Sequence, residues 1–119
     1  MRTVTKVSFE PHQINDLASK AEHASLVLRC ISNKSRLVIL CQLVKGEKSV
    51  GELEQHVGLS QSALSQHLAI LRTNGLVKTR RVSQTIFYSL MGTAAPAILA
   101  ALYDLYCLSP ELPGDDELL

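Results

Sequence analysis

The chain has no apolar run near the roughly 18 consecutive residues that a membrane span needs. Its first residues, Met1-Arg-Thr-Val-Thr-Lys-Val, show neither an apolar stretch nor a small-residue cleavage site. A secretory signal is therefore not expected, and the expected location is the cytoplasm. Cysteine is scarce: Cys30, Cys41 and Cys107 are odd in number and lack CxxC spacing. In a reducing compartment that speaks against a disulfide framework and leaves core packing or a reactive site. A Gly-rich phosphate loop, paired catalytic carboxylates and a nucleophile–base set are all missing, so neither an enzyme nor a cofactor is expected. Internal repeats and low-complexity tracts are missing too.

The most informative absence is acid. From Gln55 to Tyr103 there is no Asp or Glu, while Arg72, Lys78, Arg80 and Arg81 fall there. A second acid-free stretch, from His23 to Gly46, carries Arg29, Lys34, Arg36 and Lys45. The net charge of +1 conceals this segregation. A segregated pattern fits a basic face toward a polyanion, and it also fits ordinary surface solvation. Charge alone leaves both open.

What is present is a globular composition, with 46% hydrophobic and 19% charged residues in 119. That is room for one domain with its own core. Residues 1–9 read as a flexible arm, 10–109 as the domain and 110–119 as an acidic tail. From Pro11, the residues Ile14, Leu17, Ala18, Ala21 and Leu28 keep helical spacing, predicting one helix to about Arg29. Ser32 or Asn33 can cap the next, in which Leu37, Leu40, Cys41 and Val44 share a face before Gly46. Ser49 and Glu52 form a capping box that opens a short helix closing at Gly58. Ser60 caps a fourth helix, Gln61 to about Thr73, which Asn74-Gly75 stops. Val77–Val82 and Thr85–Leu90 then read as a hairpin about Ser83-Gln84. A last helix runs from Thr93 to about Leu108 and breaks at Pro110 and Pro113. The predicted fold is mainly α with a small β-hairpin, in the order α-α-α-α-β-β-α.

The two helices joined by Gly58-Leu59-Ser60 have the spacing of a helix-turn-helix. On the second, Leu64, Leu68 and Leu71 cluster on one side, opposite Ser62, Ser65, Gln66 and Ala69, with Gln61 between. Short side chains let the backbone approach a groove floor, and Gln can bond adenine bidentately. An ordinary surface helix would carry Lys and Glu outside, and this one carries neither before Arg72. His67 sits near the apolar edge and reads as a packed or boundary residue. The hairpin carries Lys78, Arg80, Arg81 and Gln84. After such a helix, a basic hairpin reads as a wing against phosphates or the minor groove, although Lys and Arg also protect exposed strand edges. The reading is a winged helix-turn-helix on double-stranded operator DNA, with Gln61, Ser62, Ser65, Gln66, Arg80, Arg81 and Gln84 as DNA-binding residues.

The run Leu59-Ser-Gln-Ser-Ala-Leu-Ser-Gln-His-Leu-Ala-Ile-Leu-Arg-Thr-Asn-Gly-Leu-Val, with Arg81 and Ile86-Phe-Tyr-Ser-Leu, resembles the ArsR/SmtB family of bacterial repressors. The resemblance spans about Ala24 to Cys107. It implies dimerisation through the first and last helices and repression relieved by an inducer. Where the family usually has Gly in the wing turn, this chain has Val82-Ser83-Gln84, which a hairpin accepts less readily. The last helix points to a homodimer independently, because Ala94 to Leu108 is apolar on nearly every side.

The family mostly senses metals, and a metal- or arsenite-responsive repressor is the alternative reading. The short helix from Ser49 to Gly58 lacks cysteine, the last helix offers Asp104 and no His, and His12, His23, His56 and His67 lie elsewhere, so no metal site is expected. Cys41, within Val38-Ile-Leu-Cys-Gln-Leu, and Cys107, within Leu105-Tyr-Cys, together with Gly46-Glu-Lys-Ser-Val-Gly-Glu-Leu, resemble the sulfide- and persulfide-responsive branch, the BigR and SqrR repressors. That resemblance implies two redox-sensing cysteines, close in the fold, that reactive sulfur species bridge. Without it, both would read as inert core cysteines. Cys30 has no counterpart and reads as a small packed hydrophobe.

Overall fold

Short polar side chains open three of the helices, as the sequence leads one to expect. The computed structural model describes residues 8–108. Asn33 accepts from the Arg36 amide at 3.0 Å and opens α3, Lys34–Val44. Ser49 and Glu52 form the expected reciprocal box at the start of α4, Val50–Val57. Ser60 accepts from the Ala63 amide at 3.2 Å and opens α5, Gln61–Thr73. Each cap satisfies an amide that the first helical turn leaves without a partner. Gly58 closes α4 at φ +75°, a left-handed conformation that glycine adopts without steric cost.

The long first helix expected from Pro11 to Arg29 is two helices, α1 (Pro11–Ser19) and α2 (Ala21–Ile31), broken at Lys20. Lys20 lies at φ −107°, ψ 13°, and its amide closes onto the Leu17 carbonyl in a tightened last turn. Neither Pro nor Gly marks the break. The apolar spacing runs straight across it, because Ala18 and Ala21 stay in phase whether or not the ladder is continuous.

The expected hairpin is the larger part of a three-stranded antiparallel sheet. β2 (Val77–Val82) pairs with β3 (Thr85–Leu90) in the register Val77↔Leu90 to Val82↔Thr85. A short strand, β1 (Lys48–Ser49), pairs with the other edge of β3 through Lys48↔Tyr88 and Ser49↔Phe87. β3 is therefore central, and its backbone is covered near the body of the protein. The two-residue turn places Ser83 at φ +58°. Serine thus takes the left-handed conformation for which the family usually supplies glycine.

The core is built mainly from α3, α4, α5 and β2, with Cys30 and Ile31 from the end of α2. Ile39, Leu40, Leu53, Leu64, Leu68, Leu71 and Val77 are fully buried. Each such side chain contributes about 1.5–3 kcal/mol relative to exposure. α6 (Ala94–Tyr103) packs Ala95, Ile98 and Leu99 on this core and continues into a π-helical turn, Asp104–Leu108. α1 buries nothing. The arm over 1–9 and the tail over 110–119 lie outside the described residues, except that Ser8 and Phe9 are exposed and outside any helix or strand. No helix among the described residues is long and apolar enough to cross a membrane.

Candidate nucleic-acid interface

α5 is divided as its wheel predicts. Leu64, Leu68 and Leu71 are in the core, while Gln61, Ser62, Ser65, Gln66 and Ala69 are exposed. Between α5 and the sheet lies an open groove of about 560 Å³. Gln61 and Ser65 line it from α5, Gln84 from the wing turn, Tyr88 from β3, and Ser49 and Gly51 from the start of α4. None of the side chains lining it carries a formal charge, so nothing there repels phosphate. Three of the predicted residues, Gln61, Ser65 and Gln84, are thereby brought to one concavity. Ser62 and Gln66 lie on the exposed face of the same helix.

The two wing arginines, which the sequence does not distinguish, fall on opposite faces of the sheet. Directly paired residues on adjacent strands project to the same side. Arg81 pairs with Ile86, which lines the groove, so Arg81 lies on the groove side. Arg80 pairs with Phe87 on the other side, and its guanidinium carbon lies 5.0 Å from that ring's centroid. There it makes a bidentate ion pair with Glu47, Nη2 to Oε1 at 2.6 Å and Nε to Oε2 at 3.1 Å. The hydrogen bonds from Arg80 hold the Glu47 carboxyl below its ordinary range, and the carboxylate raises Arg80 in return. With side chains 57% and 32% exposed, the pair contributes little to the stability of the fold. Glu47 was not singled out from sequence, because it lies 33 residues from Arg80 and only the β1–β3 pairing brings the two together.

The cysteines divide as well. Cys30 is 4% exposed, its Sγ donates weakly to the Ile70 carbonyl at 3.9 Å, and burial pushes its thiol up, against the opposing field of Arg36. It is a packed side chain. Cys41, on α3, and Cys107, on the π-helical turn, are free and exposed. α3 and α6 pack against each other. Among the described residues, no group of three or more His, Cys, Asp or Glu side chains could hold a metal ion. His67 is half-buried, with Nδ1 3.2 Å from Arg36 Nη1, as a boundary residue should be.

A core-packed helix with a small polar outer face, a preceding capped helix and a basic wing define a winged helix-turn-helix transcription regulator. Residues 33–79 match the model for the bacterial regulatory protein arsR family. The chain is 46% identical over 97 residues to the transcriptional activator HlyU of Vibrio cholerae, covering 82% of this chain and 90% of that one. The crystal structure of the transcriptional repressor BigR from Xylella fastidiosa superposes with a TM-score of 0.75 at 43% identity, over 78% of this chain and 95% of that one. The structure of reduced HlyU from Vibrio cholerae gives a TM-score of 0.72 at 48% identity, over 77% and 97%. The chain belongs to the ArsR family of bacterial regulators, as the motifs of α5 and the wing imply.

Proposed function

We propose that this regulator is a homodimeric repressor that releases its operator when reactive sulfur species bridge Cys41 and Cys107. The observation that carries this reading is the division of the thiols. Two are exposed, one on α3 and one on the turn that continues α6, the helix packed on α3, and the third is buried. The resemblance of both cysteine segments to the BigR branch supports it, and so does the existence of a relative solved in a form named as reduced.

The chemistry balances without a further oxidant. The Cys41 thiolate attacks the outer sulfur of a persulfide, RSSH, forming Cys41–SSH and expelling RS⁻. The Cys107 thiolate then attacks the Cys41 sulfur, expels HS⁻ and leaves a disulfide. If both cysteines are first persulfidated, loss of H₂S leaves a trisulfide instead. Either bridge ties α3 to the end of α6 and shifts them against the DNA-reading unit.

The dimer reading rests on apolar side chains that one chain leaves in water. Leu17 on α1, Leu28 on α2, Tyr103 at the end of α6 and Tyr106 in the π-helical turn after it are each more than half exposed. A second copy covering α1, α2 and α6 removes that surface from water, and its two-fold axis suits a palindromic operator. In the operator complex Gln61, Ser62, Ser65 and Gln66 read bases, while Arg81 and Gln84 hold the flanking backbone. Arg80 joins them only from a guanidinium already shared with Glu47.

The test is mass spectrometry of persulfide-treated protein, in which a Cys41–Cys107 crosslink carrying no or one extra sulfur atom is expected. Cys41→Ser and Cys107→Ser should hold DNA and ignore persulfide. Release of DNA by both variants under persulfide refutes the thiol switch.

A further inference from the structure

Arg36 stands where three helices meet. Its backbone amide is tied to the Asn33 cap at the start of α3, which fixes the root of the side chain. The guanidinium turns back to the end of α2, where Nε donates to the Cys30 carbonyl at 2.5 Å and Nη2 to the Arg29 carbonyl at 3.5 Å. Carbonyls in a last helical turn lack intrahelical partners and carry the negative end of the helix dipole, so a cation there is doubly favourable. The remaining nitrogen, Nη1, lies 3.2 Å from His67 Nδ1 on α5.

A guanidinium has donors only, so this contact requires Nδ1 to be unprotonated and the ring proton to sit on Nε2. Both side chains are half-buried, which strengthens the bond relative to one in open water. His67 lies between Gln66, on the exposed DNA-facing side, and Leu68, in the core. One helical turn further, the Cys30 thiol makes a second and weaker link from α2 to the Ile70 carbonyl of α5. The leucine face of α5 holds its depth in the core, but apolar packing is not directional. The fork from Arg36 is directional, and it acts at the residue adjoining Gln66.

We infer that Arg36 is a positioning residue for operator binding: acting through His67, it fixes the roll of the recognition helix relative to α2 and α3. This rests on α5 being the DNA-reading helix and is independent of the thiol switch. A small rotation of α5 moves Ser65 and Gln66 off their hydrogen-bonding geometry while leaving non-specific attraction to phosphate unchanged. The fork therefore governs specificity more than total affinity.

The experiment measures binding of the full chain to a duplex selected on the wild-type protein from a random library, and to a scrambled duplex of equal length. His67→Leu keeps the bulk and removes the acceptor, while His67→Gln restores an acceptor at similar reach. His67→Leu is expected to lose about tenfold on the selected duplex, the size of one modest base contact. It should lose less than about twofold on the scrambled one, with His67→Gln close to wild type on both. Arg36→Lys, which keeps the charge and loses the fork, should show the same selective loss and stands in if His67→Leu does not fold. The inference is overturned if His67→Leu keeps wild-type affinity, if it loses equally on both duplexes, or if His67→Gln falls as far as His67→Leu. Gln66→Ala, run alongside, separates failure of the positioning role from failure of α5 as the reading helix.

Discussion

Replacing Ser83 by glycine should stabilise this protein. Ser83 is the first central residue of the wing turn and sits at φ +58°, alone among the described non-glycine residues in having a positive φ. A left-handed residue with a Cβ costs about 1–2 kcal/mol from crowding against the following carbonyl. Glycine removes that cost but adds freedom to the unfolded chain, returning about 0.5–1 kcal/mol. The expected net gain is about 0.5–1 kcal/mol, or roughly 2–6 °C in Tm for a domain of this size. Ser83→Val should move the other way, because a β-branched residue tolerates positive φ worst. Thermal denaturation at one fixed protein concentration measures both, since a dimer's Tm depends on concentration. Ser83 is exposed, so lost packing does not enter the comparison. A glycine variant that melts below wild type, or a valine variant that melts with it, refutes the strain argument.

Gln66→Ala should lower affinity for the selected duplex by about 1–3 kcal/mol and leave random DNA nearly untouched; equal losses in competition titrations rule out direct readout. Arg81→Gln should lower the slope of log affinity against log salt by about 0.9, the contribution of one phosphate contact. Fluorescence anisotropy across a salt series measures this, and an unchanged slope removes Arg81 from the backbone contacts. Glu47→Gln should alter the acid limb of the stability curve. The Glu47 carboxyl is depressed by its hydrogen bonds from Arg80, so its contribution is present above the ordinary carboxylate range and fades as pH falls through the depressed value. The stability difference between wild type and Glu47→Gln in urea should therefore shrink toward low pH; a difference constant with pH contradicts the pairing.

What could be read from the sequence was whatever is local. Ser49, Ser60 and Asn33 announce their helices because a cap and its amide are only three residues apart. The division of α5 into leucine and glutamine–serine faces follows from helical periodicity alone. The break at Lys20 was hidden because apolar residues stay in phase across it. β1 was hidden because two residues, one charged and one polar, have no period, and Ser49 was already accounted for as a cap. Its existence depends on β3, about 40 residues away. Separation in sequence likewise hides both arginine contacts. Arg80 meets Glu47 only once β1 is placed, and Arg36 meets His67 only once α3 crosses α5. The sequence could therefore mark the exposed polar face of α5, but not the contacts that Arg36 and Arg80 make across the fold.

α3 joins the two halves of the proposed mechanism. It carries Arg36 in its first turn and Cys41 five residues later, about 7.5 Å along one helix. Where a bridge between Cys41 and Cys107 shifts α3, Arg36 on the same helix shifts with it. Two routes then lead to α5. One is the packed leucines, which transmit depth and cannot slide without opening a void. The other is the fork on His67, which transmits roll. A ligand or bridge changes DNA affinity only by as much as it distinguishes two arrangements of the reading helix. If the fork is the route, His67→Leu should already resemble the released state, and the ratio of operator Kd with and without persulfide should fall well below the wild-type ratio. Mass spectrometry must show in the same samples that the Cys41–Cys107 bridge still forms. A wild-type ratio in His67→Leu, with the bridge present, assigns transmission to the leucine core and leaves Arg36 with positioning alone.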